Sequence, residues 1–346
     1  MPASSIEQTF LAQLTQQGFH MRSFRQRRLG AHPVFEISLA GGQTVLIQRL
    51  FESETALLRW LSSHSAVPAP HLLHVLPSSA EIPGNAFTHT RRCPSWAKEQ
   101  LVRSYADFAL KLFDIDIPQT IGSISVTSST DELVVIPRIC SANHAHAPGV
   151  FPTLQKYLEY LSTLKKRRAF TSDTGEESRF RAQASISQLI AHLRGHLTQL
   201  DERCVRRMVL AHDGLGDMNF MVDSSGNITG ILDWWRNSTL PAILAADYPP
   251  WLRYDGINDP RFAAPSKSWL ETQEESARLR RIYQGAVKSN DFYYTALMQG
   301  AQLRAAVGWV FDIEDDPCCV RMRQWTLSTF GPPIGSPSND NQCIIT

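Results

Sequence analysis

The apolar positions of this chain follow two different periods, and the change between them divides it into two parts. Ile6, Phe10, Leu11 and Leu14 fall on one face of a helix over residues 6–17. Two strand-like runs follow, at 34–39 and 44–50, separated by Ala40-Gly41-Gly42-Gln43, a sequence suited to a hairpin turn. Helical spacing returns at 54–63 through Leu57, Leu58 and Leu61. That helix must end before Val67-Pro68-Ala69-Pro70, because proline lacks a backbone donor and restricts the residue before it. One more strand-like stretch lies near 86–90. The pattern predicts a small antiparallel sheet with one inserted helix over residues 1–92.

Beyond the break at Cys93-Pro94-Ser95, helical spacing dominates. In 100–113, Leu101, Tyr105, Phe108 and Leu112 form one stripe. In 180–200 the stripe is Ile186, Leu189, Ile190, Leu193, Leu197 and Leu200. Residues 272–287 and 292–311 are two further helices, and the polar run 169–178 reads as a loop. One strand pair interrupts the helices. Residues 208–212 form a strand, then 220–223 and 228–233 flank Ser224-Ser225-Gly226-Asn227, a four-residue hairpin loop. The expected order is a sheet lobe over 1–92, a helical lobe over 93–330 carrying the 208–233 hairpin, and a flexible tail over 331–346. The fold class is α+β.

At roughly 100–200 residues per domain, 346 residues make two domains or one bilobal unit. A content of 43% hydrophobic and 19% charged residues supports a large core. With 34 basic and 33 acidic residues, nothing points to nucleic acid or an anionic membrane as partner. No apolar run approaches the roughly 18 residues of a membrane-spanning helix. The N-terminus lacks a basic segment followed by an apolar core, so no signal peptide is read there and a cytoplasmic protein is expected. Cys93, Cys140, Cys204, Cys318, Cys319 and Cys343 contain no Cys-x-x-Cys pair, which suits free thiols in a reducing compartment. His144 and His146 have no ligand-type partner at metal spacing and read as loop residues. Arg22, Arg25, Arg27 and Arg28 form a basic cluster, either a solvated face or a source of phosphate attraction. The last four residues, Cys343-Ile344-Ile345-Thr346, fit Cys-aliphatic-aliphatic-X, but Thr is an unusual last residue and no polybasic run precedes it.

The stretch with chemistry is His212-Asp213-Gly214-Leu215-Gly216-Asp217-Met218-Asn219, followed by the hairpin to Asp233. If Asp223 and Ile228 close the hairpin loop, antiparallel pairing sets residue 219 opposite 232. Asn219 and Asp233 then lie side by side at the open end. An amide oxygen and a carboxylate there make half of a site for a hard cation such as Mg²⁺, which takes its other ligands from water and substrate phosphates. The same residue types also cap turns, so a purely structural role stands beside this one. The glycines at 214 and 216 let the 213–218 loop curl over the same end.

His212, then Asn219-Phe220-Met221-Val222-Asp223, Gly226, and Ile228-Thr229-Gly230-Ile231-Leu232-Asp233-Trp234 resemble the catalytic core of the aminoglycoside phosphotransferase and choline kinase-like family. That family's pattern is His-Gly-Asp-Leu-x-x-x-Asn, an apolar strand, a turn, and Gly-Ile-Ile-Asp-Trp. Ser53 to Leu61 with Pro68 and Pro70 is similar to its helix C and the Pro-x-Pro that follows. Ile121-Gly122-Ser123 and Tyr248-Pro249-Pro250-Trp251-Leu252 are similar to blocks of filamentous-fungal members. The resemblance covers about residues 30–255. It implies a bilobal protein-kinase-like fold with ATP in the cleft and Mg²⁺ on Asn219 and Asp233. It also implies that Arg49 contacts phosphate and Glu54 pairs with it. On residues alone, Arg49 and Glu54 also read as a surface pair worth under about 1 kcal/mol.

The expected activity is ATP- and Mg²⁺-dependent transfer to a hydroxyl of a small molecule, a natural product, with His212 and Asp213 as the catalytic candidates. Three departures bear on it. The family's catalytic Asp stands two residues after the His, where this chain has Gly214, and the acid is at 213 instead. One step along an extended chain turns a side chain to another face, and a general base must come within about 2.6–3.2 Å of its proton. The stretch expected to cover phosphates, Leu29-Gly30-Ala31-His32-Pro33, has one glycine, and Trp235 stands where many relatives have Glu. A general base contributes roughly 10²–10⁴-fold, so its loss does not by itself end phosphoryl transfer. Two alternatives follow: a kinase-fold enzyme turned to cyclisation, dehydration or isomerisation in secondary metabolism, or a non-catalytic pseudokinase. Trp234, Trp235 and Trp251 either stack on a substrate or fill the core.

Overall fold

The computed structural model describes residues 21–29, 32–39, 44–48, 52–69, 95–127, 130–138, 147–171, 175–213, 215, 219–223, 225–249, 252, 273–311 and 318–332. The helix expected at 6–17, the turn at 40–43, the strand at 86–90 and most of the tail lie outside them.

The first lobe holds one antiparallel sheet, β1 (Met21–Leu29), β2 (His32–Leu39) and β3 (Thr44–Gln48), in that order across the sheet. Phe35 opposes Ile47 and Arg27 opposes Val34. Helix α1 (Glu52–His64) follows and buries Leu57, Leu58 and Leu61, the stripe read from the sequence. It ends on the hydroxyl of Ser65, which donates to the Leu61 carbonyl at 2.7 Å just before Val67-Pro68.

Helix α2 (Ser95–Phe113) opens the helical part and buries Leu101, Val102, Tyr105, Phe108 and Leu112. The ribbon β4 (Ser123–Val126) and β5 (Leu133–Ile136) comes next and packs against α1. Helices α3 (Leu154–Thr171) and α4 (Glu176–Leu197) pack together through Tyr157, Leu158, Leu161, Ile186, Leu189 and Leu193. The loop expected at 169–178 is thus much shorter. α3 continues through Thr171 because Ala169 still reaches the core beyond the basic run 165–168. The short α5 (Glu202–Arg206) is capped by Asp201, whose carboxylate accepts from the N–H groups of Arg203 and Cys204.

β6 (Met208–His212), β7 (Phe220–Val222), β8 (Ile228–Ile231) and β9 (Asn237–Pro241) then form two antiparallel pairs, β6 with β9 and β7 with β8. α6 (Ala242–Ala245) and α7 (Gln273–Val287) follow, and α7 packs on α2. The run 292–311 is two helices, α8 (Asp291–Gln299) and α9 (Ala301–Phe311). They break at Gly300, where a side chain would collide with the Ile243 carbonyl and Arg304. Helix α10 (Val320–Phe330) packs on α4. A small antiparallel sheet with one helix, then helices enclosing a hairpin, is the α+β, kinase-like arrangement the sequence implied.

Candidate active site

At its tip the hairpin differs from the expected closure: Val222, not Asp223, pairs with Ile228, and a register shift between Met221 and Val222 restores the expected register toward the open end. Phe220 opposes Ile231, so Asn219 faces Leu232, whose N–H donates to the Asn219 carbonyl at 2.9 Å. Its tip is closed by Asp223, which accepts from the N–H groups of Ser225 and Asn227 and from the Asn227 amide. Those bonds, the Asn227 amide first, hold the Asp223 pKa below its ordinary value. Gly226 supplies the left-handed backbone the tip requires, φ 88°. α2 pins the hairpin from behind: Gln100 donates to the Asn227 side chain at 2.7 Å, and the Ser104 hydroxyl accepts from the Ile228 N–H at 2.9 Å. From the first lobe, the Pro68 carbonyl accepts from the Ile231 N–H at 3.0 Å.

At the open end, the Asn219 amide donates to the Asp233 carboxylate at 2.7 Å. Both side chains are buried, at 4% and 3% exposure. Asp233 holds a left-handed backbone, φ 66°. That conformation is costly for a residue with a Cβ and clusters at functional sites. Trp234 anchors the turn below it, donating from Nε1 to the Ile231 carbonyl at 2.9 Å and packing edge-on against His212 and Phe108.

His212 and Asp213 face opposite ways. The His212 ring is buried, and its Nε2 lies 2.9 Å from the Leu232 carbonyl, one residue from Asp233. A carbonyl only accepts, so a neutral ring carries its proton on Nε2. Burial pushes the His212 pKa below the ordinary histidine value. Asp213 continues the β6–β9 ladder, its N–H donating to the Arg236 carbonyl at 2.7 Å. Alternation along the strand puts its side chain on the other face. There its Oδ2 accepts from Arg138 Nε at 3.2 Å and Nη2 at 3.0 Å, and its Oδ1 accepts from the Ser238 hydroxyl at 2.7 Å.

Glu54 on α1 is buried, at 1% exposure, so it is not half of a surface pair. Arg49, Gly214, Gly216, Asp217, His144, His146, Trp251 and Cys343 lie outside the described residues, and so do the side chains of the arginine cluster on β1. Trp234 and Trp235 are both buried and fill the core. No three His, Cys, Asp or Glu side chains gather as a metal cluster among the described residues. No helix among them is long and apolar enough to cross a membrane. Sequence reading missed Arg138 and Ser238. Their contacts with Asp213 span 75 and 25 residues and leave no local trace.

An antiparallel sheet with one helix, joined to a helical lobe whose hairpin presents Asn219 beside Asp233, defines a protein of the kinase-like fold. No family model matches the chain. It is 34% identical to the clavilactone A biosynthesis cluster protein Y of Ampulloclitocybe clavipes, over 88% of this chain and 83% of that protein. Among solved structures it is similar to macrolide 2'-phosphotransferase type I, at 12% identity and TM-score 0.46, over 90% of this chain and 91% of that one. It is also similar to an ethanolamine kinase of Plasmodium vivax, at 10% identity and TM-score 0.45, over 89% and 83% of the two chains. These structural likenesses are weaker than the motif, and the fold rests on the chain's own topology. The chain belongs to the family of protein Y, and its hairpin motif resembles the catalytic core of the aminoglycoside phosphotransferase and choline kinase-like family.

Proposed function

We propose that the protein is an ATP- and Mg²⁺-dependent phosphotransferase-like enzyme acting on a hydroxyl of a small molecule in secondary metabolism. The observation that carries the reading is the buried Asn219–Asp233 pair, held at 2.7 Å on a hairpin whose backbone is left-handed at Asp233. The pair fits a hard cation. Asp233 already offers a carboxylate oxygen, and a half-turn of the Asn219 amide would exchange the N–H now on Asp233 for the second oxygen. One or two protein ligands are what Mg²⁺ commonly takes beside substrate phosphates. Bound there, Mg²⁺ would neutralise charge on the phosphates of ATP. Glu54, buried on α1, would orient Arg49 toward those phosphates. His212 would hold the Leu232 carbonyl, and with it the chain leading into Asp233. The natural-product setting is supported by the relative's name, which places that protein in a biosynthesis cluster.

One observation favours a second reading. Both oxygens of Asp213 are engaged, by Arg138 and by Ser238, so the loop acid does not stand ready to take a proton. Transfer would then proceed on positioning and charge neutralisation alone, without the roughly 10²–10⁴-fold a base supplies. Otherwise the cleft serves cyclisation, dehydration or isomerisation with no phosphoryl transfer. Calorimetric titration of the purified protein with ATP, with and without Mg²⁺, tests the main reading. Mg²⁺ is expected to tighten ATP binding by bridging the phosphates to Asn219 and Asp233, and Asp233→Asn to remove that gain. Equal affinity with and without Mg²⁺ would refute it. Mg²⁺-dependent binding with no γ-phosphate lost to any hydroxyl acceptor would select the second reading.

A further inference from the structure

Arg138 stands just beyond β5, where its own carbonyl accepts from the Ala147 N–H at 2.7 Å. Its guanidinium lies over the Tyr157 ring, 5.4 Å from the centroid, and puts two nitrogens on one oxygen of Asp213. The other oxygen takes the Ser238 hydroxyl. The side chains of Arg138 and Asp213 are only 9% and 14% exposed, so this is an ion pair removed from water. It joins three segments: the exit of β5, the end of β6 and the start of β9. Asp213 is also the last residue before the chain leaves the β6–β9 ladder on its way to Asn219.

We infer that Arg138 and Ser238 are positioning residues. They hold the Asp213 carboxylate as a fixed anion on the face of β6–β9 away from His212, and so set where the chain departs toward Asn219. The acid displaced by one residue from the family pattern is thus a structural anchor, and Arg138 is its counter-ion. The functional consequence, though not the anchor itself, rests on reading Asn219 and Asp233 as cation ligands.

The physics of a buried pair supplies the test. Removing one partner leaves an uncompensated charge, whereas neutralising both is tolerated far better. Arg138→Met, Asp213→Asn and the double variant are compared in the full-length protein, by thermal midpoint and by the gain in ATP affinity that Mg²⁺ confers. Each single variant is expected to lower the midpoint, and the double to fall by clearly less than their sum. Each single is expected to cut the Mg²⁺ gain roughly tenfold or more, as loss of an outer support for a metal ligand does, and the double to recover part of it. Additive midpoints would overturn the inference, and so would a Mg²⁺ gain unchanged in both singles. If the wild type shows no Mg²⁺ gain, the cation reading fails and the midpoints alone decide the anchor. Should Arg138→Met not fold, Asp213→Asn and the double variant carry the test: a higher midpoint in the double than in Asp213→Asn alone supports the anchor, and a lower one overturns it.

Discussion

His212 is a buried imidazole whose hydrogen bond to Leu232 requires a proton on Nε2, and burial holds its pKa below the ordinary value. The folded ring therefore binds its second proton less readily than an unfolded histidine, which titrates near about 6.5. Stability from this residue is whole above about pH 6.5. It is lost as pH falls from there toward the folded pKa, at up to about 1.4 kcal/mol per pH unit. The melting temperature of the wild type is expected to drop between about pH 7 and pH 5.5, and His212→Gln to flatten that drop. His196 is shifted the same way by burial and contributes to the slope that remains. An identical pH profile in His212→Gln would contradict the buried neutral ring. Asp213 shows why residue identity alone misleads here. The resemblance placed an acid near the right point of the loop, but strand alternation turned it away, toward an arginine 75 residues upstream. Asn219 and Asp233 were legible as neighbours because they flank the two apolar strands of one hairpin, although the register shift between Met221 and Val222 was not. The Arg138 contact was not, because it is made only by the tertiary fold.

At the scale of elements, the β4–β5 ribbon reaches the hairpin region through β9. The Thr239 hydroxyl accepts from the Gly122 N–H at 2.9 Å, and the Asn237 side chain accepts from the Ile124 N–H at 2.6 Å. A side chain at 122 would collide with Val135 and the Ile136 carbonyl. Gly122→Ala is therefore expected to cost about 1–3 kcal/mol, the usual range for overpacking, in denaturant unfolding. An unchanged midpoint would mean the ribbon can shift away. Ser104→Ala removes the acceptor for the Ile228 N–H, and a loss of about 1 kcal/mol is expected. Apolar stripes found α1, α2, α4 and α7 because each buries one face. β1 escaped notice because its sequence, with four arginines, has no apolar alternation. α3 was partly hidden by its basic run, and α8–α9 read as one helix because a single glycine barely interrupts the stripe.

Over the whole molecule, the two lobes meet at the hairpin. α2 supports its back, Pro68 bonds its outer strand, and the His212 strand abuts its exit through Leu232. The α+β class was readable from period and motif together. The acceptor side was not, because helices 151–200 show core stripes and no substrate signature. The proposed function requires a cation held between Asn219 and Asp233. Manganese reports on it directly, since Mn²⁺ occupies hard oxygen sites and is paramagnetic. With Mn²⁺ and ATP matched, electron paramagnetic resonance should show the spectrum of the Mn²⁺–ATP complex give way to a protein-bound one when wild-type protein is added, and Asp233→Asn should leave it as that of the Mn²⁺–ATP complex in solution. Equal Mn²⁺ binding by the wild type and by Asp233→Asn would contradict the account.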